Sequence, residues 1–418
     1  MILAASLAEG RSLIRRPATN DDAQALIACC RALGAEIEET PEGLRIEGVA
    51  GRPRNPGVLN PGNAGAVARF LIAVACLAEG EVRIETDHAE SLGRRPNREL
   101  VEALRSLGAE IEATGPEACL PIRVRGGRDR LRAGTIRVEA FRSSQFLSAL
   151  LFLAPHLRGA SVVEVAGPGP AVQPRIVSRP LIDQTLEVLA AFGAGIDVGP
   201  EGFRFGIKGP RRLRAGDHEV HGDWPSAAAL MSAVAVAGGM AALDGLADDA
   251  QGERRARPAL AAMGCEFQEG EGGRLFIHSR GELAAECFNG DLATDAVLAL
   301  EAAACLAHGA SRFENIANLR LKESDRIGRV AAELSRLGVA VRHGADWVEI
   351  TGNPEGYPGG IEVEAHGDHR LAQMLAVIGL RCERGLVVRG ADCVSKSYPG
   401  FFEDLARLGA KARRLPLS

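Results

Sequence analysis

At 418 residues the chain is longer than one hydrophobic core usually organises, which points to two domains or to a repeated architecture. Hydrophobic residues at 46% and charged residues at 25% exclude extended disorder, and 50 glycines with only 4% aromatics imply tight turns and cores of small side chains. With 49 basic against 54 acidic residues the net charge is −5, which argues against broad nucleic-acid binding and in favour of a small partner.

In chain order the first element is Met1-Ile2-Leu3-Ala4-Ala5, an apolar helical pattern that opens without a cap and stops by Gly10. An alternating strand follows, then an amphipathic helix closing at Leu33-Gly34-Ala35 and a short pair of strands. The same order recurs along the whole chain. Amphipathic helices such as Leu100-Val101-Glu102-Ala103-Leu104 end at Gly34, Gly108, Gly193, Gly264, Gly338 and Gly409, where glycine is the natural stop. Apolar helices, which neighbours must bury on all sides, end at Gly10, Gly80, Gly159, Gly239, Gly309 and Gly385. Six copies of buried helix, strand, amphipathic helix, strand, turn and strand therefore predict an α/β fold of two domains with three copies each. The division falls at 1–220 and 221–418, with a hinge near Gly216 to His221.

The nine cysteines are odd in number and contain no C-x-x-C pair, so neither a disulfide framework nor a thiolate metal site is indicated. Reduced thiols in the cytoplasm are the expectation. No apolar run reaches the length of a membrane span, and Met1 is not followed by a basic leader segment.

Polar loops open the buried helices: Gly62-Asn63-Ala64-Gly65, Ser143-Ser144-Gln145, Gly222-Asp223, Thr294-Asp295 and Asp368-His369-Arg370. Free N–H groups and the helix dipole attract anions to such starts, although a lone Ser or Gly there is ordinary helix punctuation. Applied to Gly10, the same offset falls before Met1. The first copy is thus expected to lack its opening strand and loop, through a start further upstream or a truly shortened chain. The loops before the second helices concentrate cations: Arg94-Arg95-Pro96, Ser178-Arg179-Pro180, the run from Asn318 to Arg326, and Ser395-Lys396-Ser397. Arg forks suit phosphate or carboxylate, and Lys supplies a point charge or a proton.

These runs, from Gly62-Asn63-Ala64-Gly65 with Arg69 through Ser143-Ser144-Gln145, Ser178-Arg179-Pro180 and Arg320-Leu321-Lys322-Glu323-Ser324-Asp325-Arg326 to Asp368-His369-Arg370, closely resemble the 5-enolpyruvylshikimate-3-phosphate synthase family. The resemblance spans essentially the whole chain. It implies a two-domain inside-out α/β barrel of six βαβαββ repeats, three per domain, that closes over shikimate 3-phosphate and phosphoenolpyruvate. By the resemblance shikimate 3-phosphate falls to Ser143, Ser144, Gln145, Ser178, Asp295, Asn318 and Lys322. Phosphoenolpyruvate falls to Gly65, Arg95, Gln145, Arg326, Arg370 and Lys396. Asp295 matches the residue that takes the hydroxyl proton, Glu323 the acid near the methylene carbon, and Lys396 a third catalytic group. No metal and no organic cofactor is implied, and the expected state is a cytoplasmic monomer without nucleic acid or membrane.

Departures from the family pattern accompany the matches. The Gly-Ser-Lys-Ser segment with which the family begins is missing, and its place coincides with the gap in the first copy. Ala66 stands where Thr is usual, Leu181 where many members have Tyr, and Thr294 where Pro often precedes the acid. Two other readings stay open on the sequence: a shortened homologue that binds ligand with weak or no turnover, and a sister transferase acting on a UDP-sugar. The latter is disfavoured by the missing cysteine-bearing Pro-Gly-Gly loop and by the Ser143-Ser144-Gln145 run.

Overall fold

The computed structural model describes residues 1–169 and 172–415. The alternation of apolar and amphipathic segments resolves into twelve α-helices among them. Six apolar ones open the copies: α1 (Ile2–Leu7), α3 (Gly65–Ala75), α5 (Gln145–Leu153), α7 (Trp224–Ala237), α9 (Val297–Ala304) and α11 (His369–Gly379). Each is followed by an amphipathic or shorter partner: α2 (Asp21–Ala32), α4 (Arg98–Ser106), α6 (Arg179–Ala191), α8 (Ala256–Ala262), α10 (Arg326–Leu337) and α12 (Phe401–Arg407). Every residue of α9 is buried, and all of α5 except Gln145, as a segment apolar on all faces requires.

The chain forms two compact units, Met1–Val220 and His221–Ser418. Each has a separate apolar core: one runs from Ile2 to Leu213, the other from Trp224 to Leu405. In the first unit α3 packs on α5, and three four-stranded sheets lie outside the buried helices. In the second, α7, α9 and α11 pack on one another. A complete copy has one strand pattern. Gly80–Ile84 runs parallel to Val58–Leu59 on one side and antiparallel to Cys119–Gly126 on the other, and Glu110–Thr114 closes the hairpin.

The ends of the repeat differ from the sequence pattern. In the first copy Arg11–Arg15 has a parallel neighbour, Asp217–Glu219, drawn from residues that precede α7 in the chain. Arg15 pairs with Asp217 at 3.2 Å and Arg16 with Glu219 at 3.1 Å. The segment expected to be a hinge is therefore largely a strand of the first unit. Val220 N–H still bonds Arg15 O, and Gly222 N–H already bonds Gly245 O, so only His221 lies between the two sets of bonds. Correspondingly, Gly239–Leu243 in the fourth copy has no parallel partner among the described residues. The sixth copy stops after α12 with no hairpin among the described residues.

All twelve periodic glycines have φ between 67° and 124°, the left-handed region that costs glycine nothing. One set follows the second helices directly, as at Gly338 after Leu337. The other set lies past the buried helices, at or just before the next strand, so α3 ends at Ala75 whereas Gly80 opens Gly80–Ile84. All nine cysteines are free, and six of them are buried. No helix of the described residues is long and apolar enough to cross a membrane.

Candidate active site

In the first unit two guanidinium groups gather at the start of α3. Gly65 has no side chain there, and a Cβ would lie 2.7 Å from Arg95 Nη1, 3.1 Å from Arg69 Nη1 and 3.6 Å from Gln145 Oε1. Arg69, one turn into α3, is 6% exposed. Its Nη1 donates to Gln145 Oε1 at 2.6 Å, its Nη2 to Pro96 O at 3.2 Å, and its guanidinium lies 5.2 Å from the Phe146 ring centre. Gly65, Arg95 and Gln145 are thus neighbours, joined by Arg69. Ser144 and Ser178 stand at the N-cap positions of α5 and α6, yet neither side chain caps its helix, so ordinary helix punctuation does not account for them. Ser178 holds φ 50°, unusual outside glycine. Ser143 Oγ accepts the Gln145 N–H at 3.3 Å. α5 and α6 are tied by Ser148 and Thr185, whose hydroxyls lie 2.8 Å apart.

The second unit carries a charge cluster centred on Arg326, the first residue of α10. Its side chain is fully buried, and its nitrogens reach three carboxylates. Nη1 donates to Asp295 Oδ1 at 2.8 Å, Nη2 to Glu323 Oε2 at 3.0 Å, and Nε to Asp368 Oδ2 at 2.8 Å. Lys322 Nζ donates to Asp295 Oδ1 at 3.2 Å, and Lys396 Nζ lies 3.5 Å from Glu323 Oε1. Asp368 caps α11 by accepting the Arg370 N–H at 3.0 Å. The Arg370 side chain binds no carboxylate among the described residues; its Nη1 meets Gln373 Oε1 at 3.1 Å, and its Nε is buried without a partner. Asn318 Nδ2 reaches Thr294 Oγ1 at 3.3 Å, beside Asp295. The cluster opens outward at Asp295 and Lys322, with 28% and 23% of their side chains exposed.

The local electrostatics separate two acids. Loss of water would by itself push Asp295 up, but Lys322, Arg326 and Arg370 outweigh it and hold the carboxyl well below the usual range, hence ionised. Glu253, in the turn before α8, is buried, and its Oε1 accepts the Asp295 N–H at 3.3 Å. Burial first, then the charge of Asp295, push Glu253 up to about 7. Paired acids with opposed protonation are the usual arrangement for proton transfer. Sequence reasoning missed Glu253 because the search of loops before the second helices followed cations. The repeat offset would have found the segment: Gln251 lies thirteen residues before Gly264, as Arg95 does before Gly108 and Lys396 before Gly409. Glu323, Asp368 and His369 also bring ligand-type atoms within 4.8 Å of one another. The positive charge at that spot is the Arg326 guanidinium, and burial, aided by Arg370, pushes His369 down to about 3, so its ring is neutral.

An α/β chain of two units, each with cations gathered at helix starts, has the makings of a protein that handles small anionic ligands. Comparison narrows the class. A model of the EPSP synthase family (3-phosphoshikimate 1-carboxyvinyltransferase) matches residues 1–405. A 3-phosphoshikimate 1-carboxyvinyltransferase of Deinococcus radiodurans is 42% identical over 411 residues, covering 98% of this chain and 90% of the relative. One from Methanopyrus kandleri is 38% identical, covering 98% and 92%. The solved EPSP synthase of Acinetobacter baumannii superposes with a TM-score of 0.76 at 27% identity, over 97% of this chain and 92% of that one. The chain belongs to the EPSP synthase family.

Proposed function

We propose that the chain transfers the enolpyruvyl group of phosphoenolpyruvate to the 5-hydroxyl of shikimate 3-phosphate and releases phosphate, a step of aromatic amino-acid biosynthesis. The observation that carries the reading is Asp295, kept ionised by Lys322 and Arg326 while 28% of its side chain stays open to a ligand. In the addition step Asp295 takes the hydroxyl proton as the oxygen bonds to C2 of the enol phosphate. The double-bond electrons take a proton at C3 that passes from Lys396 through the Glu323 carboxylate, 3.5 Å from the Lys396 Nζ. In the elimination step one proton of the C3 methyl returns to the pair, the double bond reforms, the C2–O bond to phosphate breaks, and the proton held by Asp295 passes to the departing phosphate. Cations hold the charge that develops on the leaving phosphate.

Shikimate 3-phosphate is assigned to Ser143, Ser144, Gln145 and Ser178 in the first unit and to Asp295, Asn318 and Lys322 in the second. Phosphoenolpyruvate is assigned to Gly65, Arg95 and Gln145, and to Arg326, Arg370 and Lys396. Arg370, whose side chain binds no carboxylate among the described residues, suits an anionic substrate best. Arg326 would exchange one of its three carboxylates for the substrate. The two units are taken as the two transferase domains, the chain as a monomer, and its place as the cytoplasm, in keeping with nine free thiols. A phosphate-release assay with both substrates tests the reading: release is expected only when both are present, and none under any substrate ratio overturns it.

A further inference from the structure

Helix α10 grips the loop before α11 at two places on one face. Its first residue, Arg326, holds Asp368 through Nε and Nη2. Seven residues later, two turns along the same face, Glu333 Oε1 lies 2.9 Å from the Nε2 of His366. The Glu333 side chain is only 4% exposed, and its second oxygen is also engaged: Oε2 accepts Arg336 Nη1 at 2.6 Å and the Glu364 N–H at 3.3 Å. Glu364 in turn accepts the His366 N–H at 3.2 Å, and Asp368 N–H closes the turn on Ala365 O at 2.9 Å. The chain of bonds thus runs from Glu333 through the turn at 365–368 to Asp368, which sets Arg370 by accepting its N–H.

His366 carries the signature of a position held from outside. Its φ is 52°, a left-handed conformation that glycine adopts freely and a histidine does not. A strained backbone persists where surrounding contacts over-determine it, and the contact here is the buried Glu333. We infer that His366 and Glu333 are positioning residues for the transfer reaction, a second hold on the loop that fixes where Arg370 meets phosphoenolpyruvate. The inference rests on the proposed function for its substrate but on the hydrogen-bond chain for its geometry.

The test uses the full chain with His366→Asn, which tolerates the backbone but is too short to reach Glu333, and His366→Gly, which also relieves the strain. His366→Gln restores an N–H within reach of Glu333. KM for phosphoenolpyruvate is expected to rise about 5- to 20-fold in the first two, with KM for shikimate 3-phosphate within twofold, and to recover in the third; a misplaced contact group costs on that scale. Hydrogen exchange of residues 361–370 should speed up in the Asn and Gly variants and be slow again in the Gln variant. The inference is overturned if folded His366→Asn and His366→Gly keep both the KM for phosphoenolpyruvate and the wild-type exchange, or if both substrates' KM values rise and kcat falls in step with a loss of thermal stability. A wild-type chain that releases no phosphate overturns the proposed function instead, and the exchange measurement then decides the hold alone.

Discussion

Replacing Gly65 with Ala tests the phosphoenolpyruvate cradle with one methyl group. Gly65 does not occupy the left-handed region, so the backbone accepts alanine, and at a helix start alanine is the better helix former. The added Cβ would lie 2.7 Å from Arg95 Nη1 and 3.1 Å from Arg69 Nη1. Non-bonded atoms rest at roughly 3.5 Å or more, so the Arg95 guanidinium must retreat by about 0.8 Å. Because that atom ends a flexible side chain, the retreat costs the fold little. For a bound anion it is a displacement of the group that should hold it, and a misplacement near 1 Å costs up to about 100-fold. The expected result is a 10- to 100-fold rise in KM for phosphoenolpyruvate, about 1.4 to 2.7 kcal/mol, with thermal stability unchanged and KM for shikimate 3-phosphate nearly so. Steady-state phosphate release with each substrate varied in turn measures both constants. An unchanged KM for phosphoenolpyruvate, or an equal loss for both substrates, would refute the placement of that ligand at the start of α3.

Three further outcomes are expected. Asp295→Asn keeps the shape but removes the proton acceptor, so kcat should fall by about 10²- to 10⁴-fold in the same assay; a fall under tenfold would remove Asp295 from the chemistry. Glu253→Gln keeps an oxygen for the Asp295 N–H but cannot titrate, so the limb of the pH–rate profile that Glu253 sets at about 7, protonated below and ionised above, should vanish; its persistence in the variant would refute the assignment. Glu301, inside α9, is pushed up to about 8 by burial, against the pull of Arg326. The folded chain therefore keeps a proton that the unfolded chain releases from 4.5 upward, and the stability tied to it is full below 4.5 and lost as pH rises through about 8. The melting-temperature gain of Glu301→Gln over wild type should grow from pH 5 to pH 8, and a constant difference would contradict that sign.

The parts of the fold that were legible in the sequence are those set by local periodicity. A helix apolar on every face can only be buried, and the glycines at regular intervals mark turns that L-residues resist, so the six copies follow from pattern alone. Pairing between distant segments leaves no such mark. Nothing in Asp217-His218-Glu219 announces that it lies beside Arg11–Arg15, about two hundred residues earlier, and the same residues read as a hinge until the ladder and the Arg15 and Arg16 ion pairs are seen. The candidate site divides in the same way. Residues in loops rich in Gly, Ser and cations stand out in the sequence as candidates for an anion site. Arg69 acts through its one-turn spacing from Gly65, and Glu253 is an acid in a place searched for bases.

Glu253 also resolves how a chain of net charge −5 offers a site to anions. In the second unit Lys322, Arg326, Arg370 and Lys396 face Asp295, Glu323 and Asp368, a surplus of one positive charge. His369 adds nothing, being neutral, so the surplus depends on Glu253 holding its proton. Below pH 7 it does, and the cluster is cationic; above, a fourth carboxylate beside Asp295 cancels the excess. Anion affinity in this unit should therefore weaken across the range in which Glu253 ionises, although the number of contacting groups stays the same. Binding of a phosphorylated ligand measured against pH should then weaken through about 7, that dependence should disappear in Glu253→Gln, and its persistence in the variant would refute the role given to Glu253.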